Sequence, residues 1–487
     1  MANRHLHAFK ILLLLVVLAH LPGCAKSVAT ISTARQAFAV GDLKTASLTL
    51  QEVASGNAQI RETAELDMAV VELAAGAPSA AERRLRTMRD RFDAAAKINP
   101  LSETAAVLTD DNAKRFRPAG YEEVMIRTML AICSLAGDQV DAESYTLQAI
   151  NRQSKLAAKA NMRGLDGGNI YQPIAIAPYL RGVLREATHH DYDDASRYYQ
   201  LASAVQPTFS AAAIDIARSK NGTHSAKGHG VLYVISCVGR GPILHETIAP
   251  TTTATLAIAS SVLNSATNQS RDDNDNQATE NNEATEERET EEVPALPNIA
   301  SVKIPEVVIP ESPVANVGIL VDGEPIGKTE TLTNVADLAI RQNKAEMPWT
   351  IARAIVRRVT KEATVAAVGD AMGLEGTAGS LFHFATASAW SGMEKADTRC
   401  WGLLPREIQV RRTELPAGPH QVHVVPLGYD GRLLANATQQ KITITDGRNQ
   451  YLIVMAPTEE MQVVYHAKSM EGQGSDSSEP LTFSLSD

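Results

Sequence analysis

Large rings are scarce in this chain: aromatic residues make up 5% of 487. A core of this size must therefore close through aliphatic and small side chains, and the abundant alanine suits helices that cross closely. Cysteine is also sparse. Cys24, Cys133, Cys237 and Cys400 lie far apart with no Cys-x-x-Cys spacing, which leaves no zinc knuckle and no thioredoxin-type motif. Cys133 and Cys237 sit in apolar segments, so buried free thiols are expected, with a Cys237–Cys400 disulfide as the alternative. Basic excess is missing too. The net charge is −10, the wrong sign for a nucleic-acid surface. Ten acids against Arg271 and Arg288 between Ser270 and Val293 carry −8 of it, so the remainder is near neutral.

Long apolar runs are absent as well. The run Ile11 to Leu18 is too short to cross a bilayer. It follows Arg4, His5 and Lys10 and precedes Leu21-Pro22-Gly23-Cys24. A basic start, a short apolar core and a small residue before cysteine form a lipoprotein signal. Processing before Cys24 would place two or three acyl chains there, an anchor far firmer than one chain. Pro22 is unusual at its position, and an ordinary secretory signal is the rival reading. Ala25, where Asp would favour the inner membrane, points to the outer membrane and the periplasmic side.

The organisation expected is α+β. Residues 1–23 are the signal, 24–219 a helical-repeat domain, and 220–250 the start of a β domain. Residues 251–297 form an acidic insertion, disordered by composition. Residues 298–465 form an α+β domain, and 466–487 a loose tail. In the helical part a pattern recurs: an apolar helix, a turn marked by Gly or Asp, then a helix opening with Ala. It appears around Gly41-Asp42, Gly76, Gly137-Asp138 and His190-Asp191. Gly41 and Gly76 are 35 apart, near the 34 of a tetratricopeptide unit. Such a domain is expected to fold on its own and to offer a concave face to a protein partner.

Further on, Val231 to Ile235, Val302 to Ile309 and Val317 to Val321 read as strands, with Asp322-Gly323 as a tight turn. Asn334 opens a short helix. A separate helix spans Glu346 to Met372, with an Ile351, Ile355, Val359, Ala363, Ala366 stripe beside Arg353, Arg357 and Lys361. Another covers Gly379 to Met393. Four strands then form a ladder, Glu407 to Val410, His420 to Val425, Lys441 to Thr445 and Gln450 to Met455, the last two joined as a hairpin by Asp446-Gly447.

Catalytic constellations are wanting. The glycines from Gly164 to Gly168 lack a P-loop lysine or a dinucleotide pattern, and no Gly-x-Ser-x-Gly elbow has a plausible triad. His189-His190 beside Asp191, and His420 with His423, have the wrong spacing to share a metal. Asp397, Arg399 and Trp401 are the best candidates for a specific polar site, with a structural ion pair beside a core tryptophan as the simpler reading. No catalytic residue, metal or cofactor is expected.

Arg117-Pro118-Ala119-Gly120-Tyr121-Glu122-Glu123, Asp191-Tyr192-Asp193-Asp194-Ala195 and Asp397-Thr398-Arg399-Cys400-Trp401 resemble markers of an uncharacterised bacterial lipoprotein family with tetratricopeptide-like repeats. The likeness spans most of Cys24 to Pro457 and supplies no reaction. Val321 to Thr329 and Leu415 to Val422 look like the edges of a PEGA-type β-domain, which implies contact with an envelope protein or polymer. The function expected is a lipid-anchored scaffold that binds envelope proteins through its repeats, held on the membrane by Cys24. The alternative is a glycan or peptidoglycan-binding module working through the β-domain.

Overall fold

The computed structural model describes residues 23–97, 115–162, 166–250, 302–371 and 395–465. The acidic insertion, the Gly379 to Met393 helix, the tail and most of the signal lie outside them. The chain is α+β, with helices first and a sheet-rich part second.

Among the described residues the helices that come first are α1 Gly23–Ala39, α2 Leu43–Gly56, α3 Arg61–Ala74, α4 Pro78–Lys97, α5 Gly120–Ala136, α6 Ala142–Met162, a single turn α7 Gly167–Ile170, α8 Ile176–Glu186, α9 Tyr192–Val205 and α10 Ala211–Lys220. The pairs α1/α2, α3/α4, α5/α6 and α8/α9 pack against each other. Their crossings use small residues: Ala34, Ala46, Ala64, Ala81, Ala142 and Ala195 are fully buried. A Cβ on Gly182 of α8 would stand 2.8 Å from the Tyr199 ring of α9. Gly41 and Gly76 turn the chain at φ +78°, which favours glycine. In the next two turns the left-handed residue is neither of the marked ones. It is Gln139 (φ 67°) and His189 (φ 63°), while Gly137 has φ −110°.

The strands are β1 His229–Arg240, β2 Ile243–Ile248, β3 Lys303–Val308, β4 Val314–Val321, β5 Glu324–Lys328, β6 Glu330–Asn334, β7 Pro405–Pro416, β8 Gly418–Gly428, β9 Thr438–Ile444, β10 Asn449–Ala456 and β11 Gln462–Val464. One sheet runs β11-β10-β1-β7-β6, a second β5-β4-β8-β9, and β2 pairs with β3. The first sheet is the middle of three layers. On β1, Val231, Tyr233, Ile235 and Cys237 face the helical core, while Leu232, Val234 and Val238 face the second sheet. β10 divides its residues the same way. Strands covered on both faces read as continuous apolar runs, which is why β1 stood out in the sequence.

That layering corrects the expected ladder. β9 pairs with β8 in the outer sheet, whereas β10 runs parallel to β1 in the middle one. Asp446-Gly447 is therefore a corner between sheets, not a hairpin. Gly447 donates its N–H to the His229 carbonyl at 2.9 Å. The physical reason is burial: β9 is buried on one face only, and β10 on both.

The two helices expected after Asn334 are one, α11 Val335–Ala371, which passes through Pro348. Asn334 does cap it, its Oδ1 accepting the Asp337 N–H at 2.9 Å. Ile351 and Ile355 are buried against Val302 and Ile304, and Val359 packs beside them. Arg353 is exposed. The side chains of Ala363, Ala366 and Lys361 are outside the described set.

Candidate functional site

Asp397, Arg399 and Trp401 lie on the strap that leads into β7. Arg399 donates from Nε and Nη2 to the two carboxylate oxygens of Asp397, both at 2.7 Å, and from Nη1 to the Gln59 carbonyl at 3.0 Å. Trp401 is fully buried in the helical core. The pair thus fixes the entry of the strap, and the tryptophan anchors it.

Three charged residues that sequence reading passed over hold the same strap. Arg35 of α1 donates from Nε to Asp67 at 2.7 Å and from Nη2 to the Cys400 carbonyl at 2.7 Å. Asp67 of α3 also accepts the Leu403 N–H at 2.9 Å. Glu122 of α5 accepts the Trp401 N–H at 2.7 Å and the Ala119 N–H at 2.8 Å. Gly402 has no side chain because a Cβ would collide with the Arg35 guanidinium. Burial alone would lower the Arg35 pKa, but the Asp67 carboxylate more than reverses this, so the guanidinium stays charged. Burial pushes the Glu122 carboxyl up to about 7, against the two N–H groups that pull it down. A faint signal existed: Arg35, Asp67 and Glu122 each interrupt an apolar stripe, where a lone charge needs a partner.

A second cluster ties α8, α9 and α10 to one another beside the sheet. Arg218 donates to Glu186 through Nε (2.6 Å) and Nη2 (2.9 Å), and to Asp215 through Nη1 (2.6 Å). Tyr199 donates to Glu186 and Tyr179 to Asp215, at 2.7 and 2.8 Å. On the sheet side Tyr233 stacks on Tyr451 at 5.8 Å, and Arg412 donates to the His224 carbonyl at 2.5 Å. His224 donates to Asn449 at 2.8 Å; burial lowers its pKa and keeps it neutral.

The histidine pairs do not converge. His189 donates to the Gly447 carbonyl at 2.7 Å and packs on the His224 ring, whereas His190 bonds the Thr188 carbonyl. His420 lies between the Asp322 carboxylate, 2.6 Å from Nδ1, and the Pro416 carbonyl, 2.8 Å from Nε2. His423, three residues on along β8, points to the other face. Asp322 further accepts the Gln421 N–H at 2.8 Å, so the stretches around Val321 to Thr329 and Leu415 to Val422 are clasped together at one end of the outer sheet. Cys133, Cys237 and Cys400 are buried free thiols.

A cavity of about 70 Å³ is lined by Arg35, Phe38, Cys237, Arg240, Leu404 and Met455. That admits a few waters, against roughly 300 Å³ or more for an ordinary ligand pocket. What this arrangement does chemically is to lock helices to sheet through satisfied buried charges. No family model, curated protein or solved structure matches the chain.

Proposed function

We propose that the chain is a lipid-anchored envelope scaffold, with Cys24 as the acylated residue and protein partners bound by the outer surface of its helical part. The helix pairs are read as degenerate tetratricopeptide-like units. The observation that carries the reading is the division of burial within the pairs α3/α4, α5/α6 and α8/α9. The first helices face the sheet: all of α5 except Glu123 is buried, and α3 and α8 nearly so. The concave side of a repeat array is thus filled by the chain's own strands. The second helices form the outside and carry exposed apolar side chains, Leu48 on α2, Leu147 on α6 and Leu201 on α9. A partner is therefore expected on the outer side, on a rigid surface that needs little ordering to bind.

A second reading is supported by the clasp of Asp322, His420 and Gln421, which joins the PEGA-like stretches in the outer sheet. It makes that sheet a peptidoglycan or glycan-binding module. One experiment separates the two. A photo-crosslinking residue at position 48, 147 or 201, and at position 439 in the outer sheet, is introduced into the full lipoprotein in its native envelope. Discrete protein adducts from the helical positions, lost on Leu147→Glu, support the scaffold. Retention on purified sacculi with no helical adducts supports the glycan module. Metabolic labelling with a clickable fatty acid should mark the wild type and not Cys24→Ser; equal labelling contradicts the anchor.

A further inference from the structure

Two large apolar side chains stand out on the loop between β8 and β9: Tyr429 is 71% exposed and Leu433 67%. This loop is not slack. Gly428 donates its N–H to the Arg432 carbonyl at 2.9 Å, Leu434 donates to Pro426 at 3.0 Å, and Leu427 bridges Leu433. Leu434 is also exposed, and the Arg432 side chain is 86% exposed. Its ion pair with Asp430 at 3.3 Å is solvated, so it holds the guanidinium only weakly. An aromatic ring, two leucines and a solvated arginine on a fixed turn are the composition of a bilayer-interface contact.

The fold puts this loop at the same end as α1. The loop leaves β8 at Gly428, which lies opposite Val314 at the start of β4. Arg406 donates to the Val314 carbonyl at 2.9 Å and its guanidinium lies 5.6 Å from the Tyr429 ring centre. The adjacent Pro405 lines the same small cavity as Ser32, Arg35 and Ala39 of α1. Ala39 closes α1 at the end away from Cys24, whereas Ser32 is eight residues from Cys24. From Cys24 to the first core residue, Ile31, the chain is seven residues long. That is about 10 Å as helix and at most about 25 Å extended.

We infer that the β8–β9 loop, with Tyr429, Leu433 and Leu434, docks into the phospholipid surface to which Cys24 is anchored, so that the body lies on the bilayer in one orientation. This rests on the proposed acylation of Cys24. The short reach keeps the Ser32 side of the body close to the bilayer, and the loop on that side supplies the side chains suited to contact. The occupant is lipid, with Arg432 set against phosphate.

The test uses the acylated full chain reconstituted into phosphatidylethanolamine/phosphatidylglycerol vesicles. An environment-sensitive fluorophore is attached at Leu433→Cys, or at Glu324→Cys in the turn at the opposite end of β4; the native thiols are buried. Flotation reports the anchor, and quenching by nitroxide-labelled lipid reports contact. The expected result is flotation of both proteins, with quenching at least threefold stronger at 433 than at 324. Flotation with equal quenching at the two positions overturns the docking while leaving the anchor intact. Failure of both proteins to float overturns the anchor and the docking with it.

Discussion

Gly402 sits where a guanidinium, a carboxylate and a backbone strap meet. A methyl group there would drive Arg35 off Asp67, and the carboxylate is fully buried. Leaving a buried charge without its partner costs about 3–5 kcal/mol. Gly402→Ala is therefore expected to lower the unfolding midpoint in urea sharply, while Gly431→Ala in the solvated β8–β9 loop has a smaller effect. Equal midpoints for Gly402→Ala and wild type would remove Arg35 from its assigned role. The titrating groups set a second expectation. Burial pushes Glu122 from 4.5 to about 7. Between those values the folded chain holds a proton the unfolded chain has released, so stability falls as pH rises. For His420, burial lowers the pKa, but the Pro416 carbonyl and Asp322 carboxylate raise it above 6.5 overall. Its contribution is complete below 6.5 and is lost as pH climbs through the folded value. Both shifts have one sign and pull the melting temperature down from pH 5 to pH 8, against His224, whose lowered pKa adds stability as pH rises towards 6.5. Glu122→Gln should flatten the curve below pH 7 and His420→Gln above 6.5. A pH profile unchanged from wild type in either variant contradicts the assignment of that residue. At this scale the sequence disclosed the Asp397–Arg399 pair and the core tryptophan, because their partners are near neighbours. Arg35 was not legible as a strap-holder, since Cys400 is 365 residues away.

The helix pairs were legible because period and turn chemistry are local. The first two turns need a glycine and have one, whereas Gln139 and His189 adopt the same conformation without advertising it. Asn334 was readable as a cap, but Pro348 made one helix look like two. A proline removes one hydrogen bond and crowds the preceding turn, and packing of Ile351 and Ile355 with Val302 and Ile304, in a third core apart from the helical one and the one between the sheets, carries the helix through it. The allotment of β7 to β10 between two sheets was not legible, because strand order depends on which faces are buried. The third core gives its own prediction. Ile355→Asp puts a carboxylate among Val302, Ile304 and Ala352, at a cost on the order of several kcal/mol. Hydrogen exchange should show loss of protection in β2, β3 and the first half of α11, with β1 and α5 little changed. An undisturbed β3 would show that this face of α11 is not core.

On the scale of the molecule, the expectation of two separable domains meets a single helical core that includes strands. Ile31, Leu66, Met129 and Tyr179 share it with Tyr233, Ile235, Ile453 and Trp401. Arg35 and Asp67 cross between those parts through the Cys400 carbonyl and the Leu403 N–H, while Arg218–Glu186 ties α10 to α8 within the helical part with a fully buried carboxylate. Composition cannot reveal such a fusion, because an apolar helix face looks the same whether its cover is another helix or a sheet. A fragment of residues 27–219 would expose that face to water, so it is expected to aggregate or to lack fixed tertiary structure rather than fold alone. The most direct measurement is native-state hydrogen exchange on the intact chain at increasing urea, with and without Glu186→Gln. Amides of α5 and β1 should converge on one opening free energy, and the substitution should lower both by the same amount. If α5 keeps its protection while β1 opens at lower urea, helices and sheet are independent units, and the fused-core scaffold is contradicted.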